Sequence, residues 1–134
     1  MSAVKVRAAL EVALNAMTPA LSSSWENQAF TPPAVSVAYQ IVNVLLAQPN
    51  NAVYGSEHQE LGYMQVKLMY PQQSGTSAVA ARAELLRTTF YRGASFTSSG
   101  VTVVISHTPE IAPGQIEDGR YAQIVKIRFY SNIT

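Results

Sequence analysis

The stretch that decides the fold is YMQVKLMY, residues 63–70. Within it the apolar Met64, Val66 and Leu68 alternate with polar residues. Successive side chains of a β-strand point to opposite faces, so the alternation predicts a strand with one buried side and one solvent-facing side. The fold should therefore contain a sheet that other elements cover on one face.

Three other segments have the composition of strands. Residues 35–46 are rich in β-branched and aromatic side chains and predict a long hairpin together with residues 63–70. Residues 101–106 form a short β-branched run, and residues 121–130 follow the turn pair Asp118-Gly119. In the last segment an apolar face and a polar face are expected, formed by Val125, Ile127 and Phe129, and by Lys126, Arg128 and Tyr130.

Two further segments repeat apolar residues with the period of an amphipathic helix. The first begins at Ser2, whose side chain can cap a helix, and Pro19 stops it. The second begins near Ser74 or Thr76 and ends at Gly93. The expected buried positions are Val6, Leu10, Ala13, Leu14 and Met17 in the first helix, and Val79, Ala83, Leu86 and Phe90 in the second.

These elements predict an α+β fold in the order helix-strand-strand-helix-strand-strand. Its two hairpins would form a mostly antiparallel four-stranded sheet, with two helices packed on one face. The other face would be left for solvent or for partners. A chain of 134 residues has the usual size of one domain, so a single domain is expected over residues 1–134.

The connection between the first helix and the first strand contains two large aromatic residues. Residues 22–33 have no sustained period and end in two prolines, which predicts an ordered loop. Trp25 and Phe30 are large enough to pin this loop to the core. The alternative is that they anchor an interface with another protein.

The composition favours a subunit of an assembly. Charged residues make up 13% of the chain, which is about half the usual share. A surface with few ions costs little to desolvate when another protein covers it. The net charge of +1 gives no general signal for nucleic acid or an anionic membrane, and no apolar run is long enough to span a bilayer.

The sequence contains no recognised catalytic, nucleotide-binding or metal-binding motif. Cysteine is absent, and His58 and His107 have no second ligand at a metal-binding spacing. Arg82, Arg87 and Arg92 do not align along a helix, so they predict a solvated face and no phosphate-binding stripe. We therefore expect no enzyme activity, no cofactor and no metal.

Several short motifs together are similar to a known family. They are Val6-Arg7-Ala8-Ala9-Leu10-Glu11, Trp25-Glu26-Asn27, Phe30-Thr31-Pro32-Pro33, Tyr39-Gln40, Gly62-Tyr63-Met64-Gln65-Val66, Tyr70-Pro71, Arg82-Ala83-Glu84-Leu85-Leu86-Arg87, Gly100-Val101-Thr102-Val103 and Thr108-Pro109. The pattern covers almost the whole chain and resembles a prophage family whose members are similar to lambda-type phage tail terminators.

The resemblance implies a structural protein of the virion. Terminators of this kind form a six-membered ring at the head-proximal end of the tail tube, stop tube growth and present the surface that joins the head. The implied partners are further copies of the chain, the tail tube protein and a head–tail connector or head completion protein. The implied location is the virion tail, after assembly in the host cytoplasm. Neither a membrane nor sequence-specific nucleic acid is implied, although the ring lumen is a passage for phage DNA.

Two alternatives remain open at this point. Another neck or tail-completion ring subunit would have the same composition and fold class. A small cytoplasmic ligand- or nucleic-acid-binding module would instead need an enclosed pocket or a basic groove.

One segment is a candidate for contact with partners. The connection from residue 48 to residue 60 is long for a hairpin and poor in apolar core residues, and long loops in compact domains are often functional. The alternative is a passive surface loop. The candidate contact residues are Gln48, Asn50, Asn51, Tyr54, Glu57, His58 and Glu60.

Overall fold

A curled, mixed sheet and two helices form the part of the chain that the structure describes. The computed structural model describes residues 2–17, 22–26, 30–31, 33, 37–47, 58–71, 75–117 and 119–133. The elements are α1 (Ser2–Asn15), β1 (Ser22–Ser24), β2 (Tyr39–Leu46), β3 (His58–Pro71), α2 (Ser77–Thr89), β4 (Ser95–Ser98), β5 (Val101–Ile105), β6 (Glu110–Ile111), β7 (Gln115–Glu117) and β8 (Arg120–Ile133).

The sheet has eight strands in the described residues, and their order is β1-β2-β3-β8-β5-β4. The short strands β6 and β7 also pair with β8, so β5, β6 and β7 follow one another along β8. The strands β3 and β8 pair over their whole length, from His58 opposite Ile133 to Pro71 opposite Arg120. This long antiparallel pair is the centre of the sheet.

The predicted four-stranded, mostly antiparallel sheet in helix-strand-strand-helix-strand-strand order is wrong. The sheet has eight strands among the described residues and is mixed, because β1 runs parallel to β2. The missed strands β1, β4, β6 and β7 have two to four residues each, which is too short for a hydrophobic period to show. Their pairing is decided by the neighbouring long strands, a tertiary effect that local sequence does not contain.

The inner face of the sheet and both helices form one core. Val66 lies between Val42 and Val125 in register, and in the next inner row Met64 lies between Val44 and Ile127. All these side chains are buried. The same core cluster contains residues of both helices: Val6, Leu10, Leu14 and Met17 of α1, and Val79, Ala83, Leu86 and Phe90 of α2. The predicted buried positions are thereby confirmed, except that Ala13 is only partly buried.

The strands β2 and β3 approach each other very closely at Gly62. Gly62 is paired with Leu46, and a Cβ atom built on Gly62 would overlap the carbonyl oxygen of Leu45. Only a residue without a side chain fits at this point of the curled sheet.

Candidate functional site

The outer face of the sheet lies opposite the helices and consists of side chains from three neighbouring strands. Alternation along the strands puts four rows of side chains from β2, β3 and β8 on this face. From one end to the other they are Tyr39, Met69 and Ala122; Ile41, Lys67 and Ile124; Asn43, Gln65 and Lys126; and Leu45, Tyr63 and Arg128.

One end of the outer face is covered by the segment before β2. Tyr39, Met69 and Ala122 are buried in a small cluster with Phe30, whose ring centroid is 5.4 Å from that of Tyr39. Arg120 fixes this segment, because its guanidinium donates to the carbonyl oxygens of Val37 and Pro33 at 2.6 and 2.7 Å. The guanidinium also lies over the Tyr39 ring, 4.8 Å from its centroid. Arg120 therefore acts as a clamp on the loop.

The other end of the outer face is polar and carries cations. The ammonium of Lys126 lies 4.7 Å from the centroid of the Tyr63 ring, and the guanidinium carbon of Arg128 lies 6.0 Å from it. Lys67 forms an ion pair with Glu117, so its charge is compensated. Such contacts hold long side chains over an aromatic ring while leaving their charged ends accessible. At this end Leu45 and Arg128 are exposed, whereas Asn43, Tyr63, Gln65 and Lys126 are half-buried.

Two residues of the similarity motifs cap the edge of the sheet. The Arg7 guanidinium lies 2.9 Å from the Glu26 carboxylate and also donates to the carbonyl oxygen of Val44 at 3.3 Å. The same carboxylate accepts the backbone N–H of Val44. The ion pair thus satisfies both backbone groups of Val44 where β2 extends beyond β1, which ends opposite Ile41. Its role is structural, because it ties α1 to the sheet.

The electrostatics of this edge follow from the same contacts. Although burial acts to raise it, the pKa of Glu26 is lowered because its ionised form binds Val44 and Arg7. Burial raises the pKa of the nearby Glu11. The positive charge of Arg7 acts to lower this pKa, and the negative charge of Glu26 acts to raise it further. Arg7 therefore acts to lower the pKa of both carboxyl groups, and it forms a hydrogen-bonded ion pair with Glu26.

The prediction that the two loop aromatics pin the loop is confirmed. Trp25 packs against the main core, and Phe30 packs against the small cluster on the outer face. Trp25 also borders an open cleft of about 260 Å³ with Glu11, Val12 and Asn15 of α1. Sequence reasoning did not single out this side of α1.

The predicted contact loop is only partly covered by the structure. Gln48, Asn50, Asn51, Tyr54 and Glu57 lie outside the described residues. His58 and Glu60 were expected in the loop, but β3 already begins at His58, and Glu60 is buried within that strand. Strand pairing with the end of β8 extends β3 beyond the alternating segment that revealed it. The contact role of the loop stays a prediction.

The arginines of the second helix are not all on a solvated face. Arg82 is 5% exposed and lies on the buried side of α2, which corrects the expectation. Burial lowers its pKa against the opposing effect of Tyr70. Arg87 donates twice to the carbonyl oxygen of Pro109, at 3.0 and 3.2 Å, and Arg92 is exposed. Their roles are mainly structural.

Chemistry-bearing groups are dispersed over the described part of the chain. His107 is exposed, and its Nδ1 atom lies 2.8 Å from the hydroxyl of its neighbour Ser106. No group of histidine, aspartate and glutamate side chains that could hold a metal ion occurs among the described residues. The helices formed by those residues are also too short or too polar to cross a membrane.

Comparison with known proteins gives the family. A family model described as phage tail terminator protein matches residues 5–129. The chain is similar to a solved structure, with a TM-score of 0.80 and 26% sequence identity. The match covers 100% of this chain and 97% of the solved one. No curated protein matches the sequence. The resemblance inferred from the motifs is confirmed, and the family is one of structural proteins of the phage tail. The chain therefore belongs to the phage tail terminator protein family.

Proposed function

We propose that this protein is the terminator subunit of a long-tailed phage. Copies of it form a ring, expected to have six members, at the head-proximal end of the tail tube. The ring ends tube polymerisation and provides the surface on which the head joins the tail. The observation that carries the proposal is the match to the terminator family over nearly the whole chain.

The geometry supports an action by binding. Arg128 is exposed on the outer face, and the chain has few charges whose desolvation would oppose contact with a partner. The strands β2 and β3 form a rigid antiparallel pair that leads into the segment 48–57. A loop mounted on such a pair is well placed to reach a neighbour, the tube protein or a connector.

The partners follow from the position in the particle. The ring would meet the tail tube protein on one side and the head–tail connector or head completion protein on the other. Its lumen would let phage DNA pass without reading sequence. The subunit would be made in the host cytoplasm and remain in the virion.

The direct test is to image tails assembled with and without this protein by negative-stain electron microscopy. A terminator predicts overlong tubes in its absence, because nothing stops polymerisation. Tubes of normal length that fail to join heads would instead identify another neck or tail-completion ring subunit. That result would overturn the terminator proposal.

A second test addresses the contact loop. Replacing residues 50–56 by a short glycine-serine linker should leave a soluble, folded protein, because the described pairing of β2 with β3, from Tyr39 opposite Met69 to Leu46 opposite Gly62, does not involve them. The variant should fail to form rings or attach to tails. Infectious particles with capped tubes would show that the loop is a passive surface.

A further inference from the structure

One side of the helix α1 faces away from the core and carries both apolar and charged residues. Val4, Ala8 and Glu11 follow one another along this side, with the spacing of residues on one helix face. We call these three residues the α1 strip. Val4 is 58% exposed, whereas Ala8 and Glu11 are half-buried. Polar residues are usual on the outer side of a helix that covers a sheet, so the exposed valine is available for contact with another protein.

The α1 strip carries a negative charge that no described residue pairs with. Arg7 forms its ion pair with Glu26, and Glu11 forms no ion pair or hydrogen bond with a described residue. Two carboxylates thus lie near one arginine, and their mutual repulsion acts to raise the pKa of Glu11. Trp25 lines the open cleft of about 260 Å³ beside Glu11. A carboxylate next to an indole ring is suited to bind a guanidinium.

The outer face of the sheet presents a row of the complementary kind. Leu45, Tyr63 and Arg128 lie side by side on β2, β3 and β8, and we call them the outer row. Leu45 is 44% exposed, Tyr63 is half-buried and Arg128 is exposed. No described carboxylate forms an ion pair with Arg128. The outer row thus has an apolar end and a cationic end.

We infer that the outer row of one copy of this chain binds the α1 strip of the next copy. This inference rests on the proposed function, because it assumes the ring. A ring is a head-to-tail assembly, in which one patch of each subunit fits a different patch of its neighbour. The helix α1 packs on the inner face of the sheet, and the outer row lies on the opposite face. The two patches of one chain therefore point to different neighbours.

The two patches match in size, polarity and spacing. Leu45 would pack against Val4 of the next copy, the Tyr63 ring would cover the small Ala8, and Arg128 would pair with Glu11. Two steps between neighbouring strands separate Leu45 from Arg128, which is about 9.6 Å. Seven residues of helix separate Val4 from Glu11, which is about 10.5 Å. Charge fixes the direction, because the reverse orientation would place Arg128 on Val4 and leave Glu11 against Leu45.

The other exposed arginine does not have the position that this contact needs. Arg92 follows the helix α2, which packs on the same face of the sheet as α1. It therefore cannot be the head-to-tail partner of the α1 strip. The remaining seven lysines and arginines are half-buried or buried. Arg128 is thus the cation that fits Glu11, and Arg92 is its matched control.

Cross-linking tests the contact, because the chain has no cysteine of its own. Val4→Cys and Leu45→Cys place one thiol in each patch, and the two full-length variants are mixed and treated with a short bis-maleimide. We expect mixed dimers and almost no dimers of either variant alone. The double variant should give a ladder of covalent multimers, both free in solution and in purified tails. Ile116 is 60% exposed and pairs with the other end of β8, so Ile116→Cys with Val4→Cys should give no mixed dimer.

Charge variants test the pairing of Arg128 with Glu11. Arg128→Glu in the Leu45→Cys chain should lower the yield of mixed dimer about fivefold, and Glu11→Lys in the Val4→Cys chain should restore it. Arg92→Glu in the Leu45→Cys chain should leave the yield unchanged. Glu11→Gln, which keeps the shape of the side chain, should lower the yield on its own, so the result does not depend on a reversed charge.

The outcomes separate this inference from the proposed function. Absence of mixed dimers both in solution and in tails, or equal yields with Arg128→Glu and Arg92→Glu, overturns the contact between the outer row and the α1 strip. Overlong tubes without the protein would leave the terminator function standing in that case. Tubes of normal length together with a specific ladder would support the contact and refute the terminator role.

Discussion

Individual residues of this protein are constrained by contacts that their neighbours in sequence do not reveal. Gly62 is needed because the carbonyl oxygen of Leu45 occupies the place of a side chain. Glu26 is needed because its carboxylate takes the place of a neighbouring strand at Val44. Both residues belong to the similarity motifs, and the structure gives a physical reason for each.

Gly62→Ala should destabilise the protein by about 2 kcal/mol, because the added methyl group forces two paired backbones apart. Urea unfolding followed by circular dichroism would measure the loss. Ser95→Ala, at an exposed position of the strand β4, is the control, because it places no new atom between paired backbones. Equal losses for the two variants would contradict the close approach of β2 and β3.

Glu26→Gln should lower the free energy of unfolding at neutral pH by about 1–2 kcal/mol, because hydrogen bonds to a charged group are lost. The folded protein holds the pKa of Glu26 below 4.5. Its stabilisation is therefore present above pH 4.5 and is lost as the pH falls through the lower folded value. Unfolding curves of the wild type and the variant should converge in acid. Gln115→Ala, an exposed position without a titrating group, should show no such convergence.

At the scale of elements, short segments are held by single side chains from distant strands. Arg120 begins β8, yet it binds carbonyl oxygens of the segment before β2 and lies over Tyr39. The outer-face cluster of Tyr39, Met69 and Ala122 stays covered because of this clamp.

Arg120→Ala should destabilise the protein by about 2–4 kcal/mol, because two partly buried charge-assisted hydrogen bonds are removed. Limited proteolysis should cut near residues 30–37 faster than in the wild type. Arg120→Lys retains the charge but not the two-pronged geometry, so it should recover only part of the stability. A variant at the exposed Arg128, such as Arg128→Ala, should leave the cleavage rate unchanged.

At the scale of the whole molecule, the two faces of the sheet contribute differently to stability. Its inner face and the helices supply stability through one core, whereas the polar end of its outer face contributes little to that core. Changes at the two faces should therefore have different consequences in the phage.

Arg128→Glu should change the free energy of unfolding by less than about 0.5 kcal/mol, because the side chain is exposed. If the outer face meets a partner, the reversed charge should block complementation of phage that lack the protein. Plaque counts and tail images would measure this effect. Arg92→Glu is the control at another exposed site, and equal complementation by both variants would show that the outer face stays in solvent.

The sequence by itself determined the two helices and the long strands, since periods of 3.6 and 2 residues are local patterns. It also determined the family, through motifs spread over the whole chain. Only the tertiary structure decided the pairing of the short strands β1, β6 and β7, the clamp by Arg120 and the burial of Arg82. The physical reason is that these features depend on residues far apart in the chain, whose approach is set by the curl of the sheet.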